Sequence, residues 1–244
     1  MRIFQEKKRL DYEGKTYNFI GSIHHAQGRY EEALEAFQKA LTIRECIGDQ
    51  QGIANCYNNI GIIHADQGRY AEALESYQKA LSIRERIGDQ QGIATSYNNI
   101  GLIHADQGRY AEALESYQKA LTIRERIGDQ RGVAILCNNI GNIHRVQGRY
   151  AEALESYQKA LTIRERIGDQ RGMASSYNNI GSIHRVQGRY TEALEAFQKA
   201  LAIAQPLGLQ DYMDDIYLHL AQPDFQRWVR PEAARAESVW ARWR

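Results

Sequence analysis

Proline is scarce, three in 244 residues, and cysteine is no commoner. With so few prolines, long helices can run without interruption. The three cysteines, Cys46, Cys56 and Cys137, are odd in number and show no CxxC spacing. That excludes a disulfide framework or a zinc site and leads us to expect buried, reduced thiols in a cytoplasmic setting. Net charge is nearly absent as well: Lys+Arg 31 against Asp+Glu 30, a formal +1. Nucleic acid recognition ordinarily needs a basic surface, so that class drops out. No apolar run is long enough to cross a membrane, and residues 1–10 form a charged lead-in without the apolar stretch of a signal peptide.

What the chain has is repetition. Residues 111–130 read AEALESYQKALTIRERIGDQ, residues 151–170 are identical, and residues 71–90 differ only at Ser82. YNNIG starts at Tyr57, Tyr97 and Tyr177, with CNNIG at Cys137, and QGRY ends at Tyr30, Tyr70, Tyr110, Tyr150 and Tyr190. The period is forty residues, giving five copies at 11–50, 51–90, 91–130, 131–170 and 171–210.

Each copy carries two amphipathic helical patterns. In the third, Ile93, Tyr97, Ile100, Gly101 and His104 line one face, and Tyr110, Ala113, Leu114, Tyr117, Ala120 and Leu121 line another. Glycines at 68, 108, 148 and 188 are placed to end the first helix, and those at 88, 128 and 168 to end the second. Asp49, Asp89, Asp129 and Asp169 are placed to cap the helix that follows. Glu75–Lys79, Glu115–Lys119 and Glu155–Lys159 have the spacing of exposed i,i+4 pairs. Small residues recur where helices should approach closely: Gly61, Gly101, Gly141 and Gly181 on the first helix, Ala73, Ala113, Ala153 and Ala193 on the second. A mid-helix glycine costs about 1 kcal/mol against alanine, so its recurrence at one register implies a packing reason. One hairpin cannot bury its own stripe; stacked copies can.

The string Y-N-N-I-G-x-I-H-x-x-Q-G-R-Y-x-E-A-L-x-x-Y-Q-K-A-L resembles the tetratricopeptide repeat over residues 11 to about 210. Two departures stand out. His24, His64, His104, His144 and His184 occupy a position that is more often tyrosine, and the proline that commonly closes the second helix is replaced by a continuation through IRERIG. The forty-residue form is similar to the repeats of kinesin light chains, of Pins-type polarity adaptors and of bacterial multidomain signalling proteins. The resemblance implies an all-α solenoid, a right-handed superhelix of five hairpins whose first helices line a concave, peptide-binding groove. Residues 211–222 align with the first helix of a sixth copy and read as a capping helix, Tyr217, Leu220 and Ala221 falling on the tyrosine, isoleucine and glycine registers. Residues 223–244 match no repeat and read as an irregular basic tail with Trp228, Trp240 and Trp243, the last two on one side of a short helix from Ala233.

Differences between copies concentrate on the first helices. Asn55, Thr95, Ile135 and Ser175 are equivalent, as are Ile62, Leu102, Asn142 and Ser182. Ala65 and Ala105 become Arg145 and Arg185, and Asp66 and Asp106 become Val146 and Val186. These share a stripe with Asn58, Asn59, Asn98, Asn99, Asn138, Asn139, Asn178 and Asn179. Asparagine offers donor and acceptor together, so a ladder of it can bind an extended peptide backbone without reading sequence, or serve as polar packing between helices. Asp66 and Asp106 then mark an acidic half, and Arg145 and Arg185 a basic half able to hold a carboxylate.

Equivalent histidines of successive copies lie at helix-packing distances of about 8–10 Å, too far apart to share an ion bound at about 2 Å, and the adjacent His24 and His25 diverge on their helix, so no metal is expected. There is no nucleophile motif, no phosphate loop and no isolated carboxylate pair; no enzyme activity and no cofactor are expected. The sequence therefore points to a cytoplasmic protein-interaction scaffold that binds a protein or extended peptide, with an acidic group near Arg145 and Arg185. The competing readings are a self-assembling repeat module and the regulatory repeat region of a larger signalling protein.

Overall fold

In the computed structural model of the chain, residues 2–228 are described, and all their regular secondary structure is helical. The chain divides into two compact units, residues 1–128 and 129–244. The first holds α1 (Arg2–Ala26), α2 (Tyr30–Ile47), α3 (Gln50–Asp66), α4 (Tyr70–Ile87), α5 (Gln90–Asp106) and α6 (Tyr110–Arg126). The second holds α7 (Gln130–Val146), α8 (Tyr150–Ile167), α9 (Gln170–Val186), α10 (Tyr190–Ala204), α11 (Gln210–Leu220) and α12, residues 223–228. The result is an all-α solenoid of tandem hairpins. Odd-numbered helices up to α9 are the first helices of the copies, and even-numbered ones up to α10 are the second.

Local chemistry sets the helix ends. Asp49, Asp89, Asp129 and Asp169 each accept a hydrogen bond from the backbone N–H three residues on, at 2.9 to 3.0 Å, which satisfies one of the unpaired donors of the first turn. Gly68, Gly108, Gly148 and Gly188 follow the first helices with φ of 71° to 73°, a left-handed geometry that costs a side-chain-bearing residue strain. The exposed pairs Glu75–Lys79 and Glu115–Lys119 close at 2.7 Å.

Within each unit the buried stripe of a second helix packs on its own first helix and on the one that follows. Ala33, Phe37, Ala40 and Leu41 of α2 meet Ile53, Cys56, Ile60 and Ile63 of α3, and Ala73, Tyr77 and Leu81 of α4 meet Ile93, Ile100 and Ile103 of α5. In the second unit Ala153, Tyr157 and Leu161 meet Ile180 and Ile183. The recurring mid-helix glycines mark the closest approach: a Cβ on Gly61 or Gly101 would stand 2.6 Å from a ring carbon of Tyr77 or Tyr117, and one on Gly141 or Gly181 2.7 Å from Tyr157 or Phe197.

Four features depart from expectation. Residues 2–10 are not a separate lead-in but the first turns of α1. In the fifth copy a proline does close the second helix: α10 stops at Ala204, two residues before Pro206, and is 15 residues long where α4 and α8 have 18. Cys46 is exposed, not buried like Cys56 and Cys137, because its register is that of Arg86, Arg126 and Arg166, which points outward. The irregular tail also begins later than residue 223. Pro223 opens α12, whose Phe225 is fully buried with Phe197, Leu201, Ile216 and Leu220, and Trp228 packs on Tyr190 with ring centres 5.6 Å apart. Proline at a first helical position loses no hydrogen bond. Trp240, Trp243 and the helix expected from Ala233 lie outside the described residues.

Candidate functional site

In the first unit the asparagines of successive first helices are joined to one another. Asn59 Nδ2 donates to Asn18 Oδ1 at 3.0 Å, and Asn99 Nδ2 donates to Asn58 Oδ1 at 3.1 Å. Asn98 Nδ2 also donates to Asn99 Oδ1 at 3.2 Å. The second unit repeats the pattern, with Asn179 Nδ2 donating to Asn138 Oδ1 at 2.9 Å. The offset is always forty-one residues, so the second asparagine of one copy meets the first asparagine of the copy before. Asn139 is also engaged. Asn178, where this series ends, is 8% exposed and its Oδ1 has no hydrogen-bond partner. One link uses one N–H and one lone pair of groups that have two of each, so polar capacity remains on the half-buried amides.

The charged candidates separate. Both aspartates are exposed: Asp66 Oδ2 lies 2.6 Å from His25 Nε2, and partial desolvation holds the Asp106 carboxyl above the usual range. Asn142 Oδ1 accepts the Tyr157 hydroxyl at 2.7 Å, which removes it from the open face. Arg145 is exposed. Arg185 is already engaged: its Nη1 reaches Asp224 Oδ2 at 2.9 Å and Oδ1 at 3.2 Å, so α12 supplies the carboxylate that the sequence led us to expect from a ligand.

The histidines at 64, 104, 144 and 184 are half-buried, and each has a buried Nδ1 without a hydrogen-bond partner. Burial, reinforced by Arg69, Arg109, Arg149 and Arg189 respectively, pushes all four below the usual imidazole range.

The tetratricopeptide repeat family model matches residues 12–86, 92–166 and 132–206, well over half of the chain. The chain belongs to the tetratricopeptide repeat family. No curated protein matches this tetratricopeptide array in sequence. Solved structures match it in fold. Nearly identical tetratricopeptide-like repeats of a putative kinesin light chain from Podospora anserina align with a TM-score of 0.65 at 14% identity, over 80% of this chain and 95% of that one. Aspartyl phosphate phosphatase F from Bacillus subtilis aligns with a TM-score of 0.80 at 20% identity, over 96% of this chain but only 62% of its own length. The Rap conjugation gene regulator of plasmid pLS20, solved with the Phr* peptide, aligns with a TM-score of 0.73 at 17% identity, over 94% and 64%. At these identities the likeness is one of fold.

A tetratricopeptide feature that inspection of the first helices missed sits at the end of the second ones. Arg44, Arg84 and Arg164, at one register, are 4 to 6% exposed. Each guanidinium enters the seam between two first helices. Arg84 Nη1 donates to Ser96 Oγ at 2.7 Å, Gly92 O at 3.2 Å and Asn58 Oδ1 at 3.4 Å, while Nη2 donates to Asn55 Oδ1 at 3.2 Å. Burial pushes Arg84 and Arg164 below the usual arginine range. The signal available in the sequence was an arginine kept at one position of IRE in four copies, which reads as a solvated charge because arginine usually stays exposed. No helix among the described residues is long and apolar enough to cross a membrane.

Proposed function

We propose that the chain is a non-catalytic interaction scaffold, and that an extended peptide or partner segment lies along the open face of its first helices. The observation that carries this reading is the asparagine series. It repeats with the array, it is only half buried, and amides such as Asn18 and Asn59, whose links use one group each, retain hydrogen-bonding capacity with which to address a peptide backbone. The pLS20 regulator, which shares the fold, was solved with a peptide bound, which supports the same use here. In the second unit Arg145 is exposed, so an acidic group of the peptide would lie toward it. Arg185 becomes available to a ligand only when Asp224 leaves it.

The test is selection of random peptides on the immobilised full chain, followed by fluorescence anisotropy with the peptides obtained. Changing Asn99, Asn139 and Asn179 to Ala should weaken binding roughly tenfold, about 1.4 kcal/mol, with the helical circular dichroism retained. Failure to select any peptide, or unaltered affinity in the variant, overturns the reading.

Self-assembly is the second reading, and one observation favours it. Tyr12, Phe19 and Ile23 of α1 are 58%, 67% and 41% exposed, whereas Ile63 and Ile103, at the register of Ile23, are buried beneath the preceding second helix. Light scattering over a concentration series separates the two, since mass that grows with concentration belongs to assembly.

A further inference from the structure

The buried arginine register solves one problem in different ways in successive copies. A guanidinium taken out of water needs acceptors for its N–H groups and is most stable against a carboxylate. In the first copy Arg44 Nη1 has two carboxylates: Asp11 Oδ1 at 2.5 Å and Asp49 Oδ2 at 2.8 Å, with Asp11 O accepting from Nη2 at 3.3 Å. In the second, Nη2 of Arg84 is taken by the Asn55 amide oxygen. In the third, Nη2 of Arg124 donates to Thr95 Oγ1 at 2.8 Å.

The fourth copy has none of these. The position of Asn55 and Thr95 is Ile135, which offers no acceptor, and the position of Asp11 is Arg131, which brings a second cation in place of a counter-ion. Arg164 Nη1 donates to Ser176 Oγ at 2.7 Å and to Gly172 O at 2.9 Å. Its Nη2 meets no protein acceptor, and its buried Nε, like that of Arg84, has no partner. Asp169 lies near enough to favour the charged form, and Tyr212 and Cys137 add smaller contributions, but no carboxylate among the described residues makes an ion pair with Arg164. The residue is 6% exposed.

We propose that Arg164, in the seam between α7 and α9, is a carboxylate-binding subsite for an aspartate or glutamate side chain of the bound peptide, with Arg131 beside it and Ile135 as its apolar wall. The precedent lies within the chain. Arg44 already holds a carboxylate delivered from the register that Arg131 occupies in the fourth copy, and that carboxylate, Asp11, is one-third exposed, so the approach is open to solvent. Ile135, 45% exposed, can pack against the methylenes of the incoming side chain. The subsite rests on the peptide-binding reading above for its biological ligand, although occupancy by a carboxylate can be measured without a peptide.

The experiment titrates the full chain, with arginine labelled with nitrogen-15, with N-acetylglutamate. The Nε resonance of Arg164, assigned by its loss in Arg164→Lys, should shift saturably with N-acetylglutamate and stay still with N-acetylglutamine. In Ile135→Asp, an exposed change that delivers an internal carboxylate to the seam, the shift should fall at least roughly tenfold in apparent affinity, about 1.4 kcal/mol. No saturable shift, an equal response to the neutral amide, or an undiminished response in Ile135→Asp overturns the subsite. Carboxylate binding in a chain that selects no peptide would sink the groove reading alone, and peptide binding without this shift would sink the subsite alone.

Discussion

Arg185 and Asp224 form a two-oxygen ion pair that ties α9 to α12, with the arginine side chain 17% exposed and the aspartate 40%. The pair places a carboxylate of the chain itself on one of the arginines carried by the first helices of the second unit. It also orients the turn that carries Phe225 into the core beside Phe197.

Asp224→Asn should therefore have two effects. The partly exposed pair is worth about 0.5–1 kcal/mol, so the melting temperature should fall only slightly. Affinity for a selected acidic peptide should rise, because Arg185 is freed while Phe225 still holds α12. Anisotropy on the variant reads the second effect directly; lower affinity would mean that Asp224 supports the peptide site and does not compete with it.

The close approach at Gly101 makes a second prediction. An added Cβ lies 2.6 Å from the Tyr117 ring, so Gly101→Ala must displace a ring that is 1% exposed. Overpacking costs about 1–3 kcal/mol, against about 1 kcal/mol of helix propensity gained. Urea denaturation should show net destabilisation of up to about 2 kcal/mol. Tyr117→Leu, which removes the obstructing ring, should make a second Gly101→Ala change nearly neutral or favourable.

The histidines set a pH dependence. His64, His104, His144 and His184 are held below the usual imidazole range in the fold, first by burial and then by the neighbouring arginines. A base with a depressed folded pKa binds more protons when unfolded, so stability is fully present above the unfolded value near 6.5 and is lost as pH falls below it. Thermal melts should give a lower midpoint at about pH 5.5 than at about pH 7.5. Coincident melts would show that the four rings are solvated well enough to titrate normally.

Cysteine reactivity should follow burial. Cys46 is exposed; Cys56 is buried, and burial pushes its thiol up to about 11. Under native conditions a maleimide should modify Cys46 quickly and leave Cys56 and Cys137 protected until denaturant is added, as intact-mass spectrometry would count. Rapid modification of Cys56 would place its opening at the low-stability end of the fold.

Much of this protein is legible without coordinates because its determinants are local. The forty-residue period, the paired helices, the aspartate caps and the left-handed glycines each depend on residues a few positions apart, and a helix end is decided by groups within one turn. The mid-helix glycines could be read as contact points because their cost demands a reason, although only the structure names the aromatic ring at each.

The stacking offset was not legible. Asn59 meets Asn18 because neighbouring first helices are staggered by one residue beyond the period, and no local rule specifies that stagger. Arg84 and Arg164 look like solvated charges in the sequence and turn out to be buried, because the next copy closes over them. Both then find a serine hydroxyl and a glycine carbonyl, and whether Nη2 also meets a protein acceptor depends on a single residue of a first helix, Asn55 in one case and Ile135 in the other. The sequence by itself determined the repeat, its helices and their ends. Tertiary packing alone decided which polar groups are used up inside the array and which stay open, because hydrogen bonds between copies and the burial of Phe225 form only when the hairpins stack.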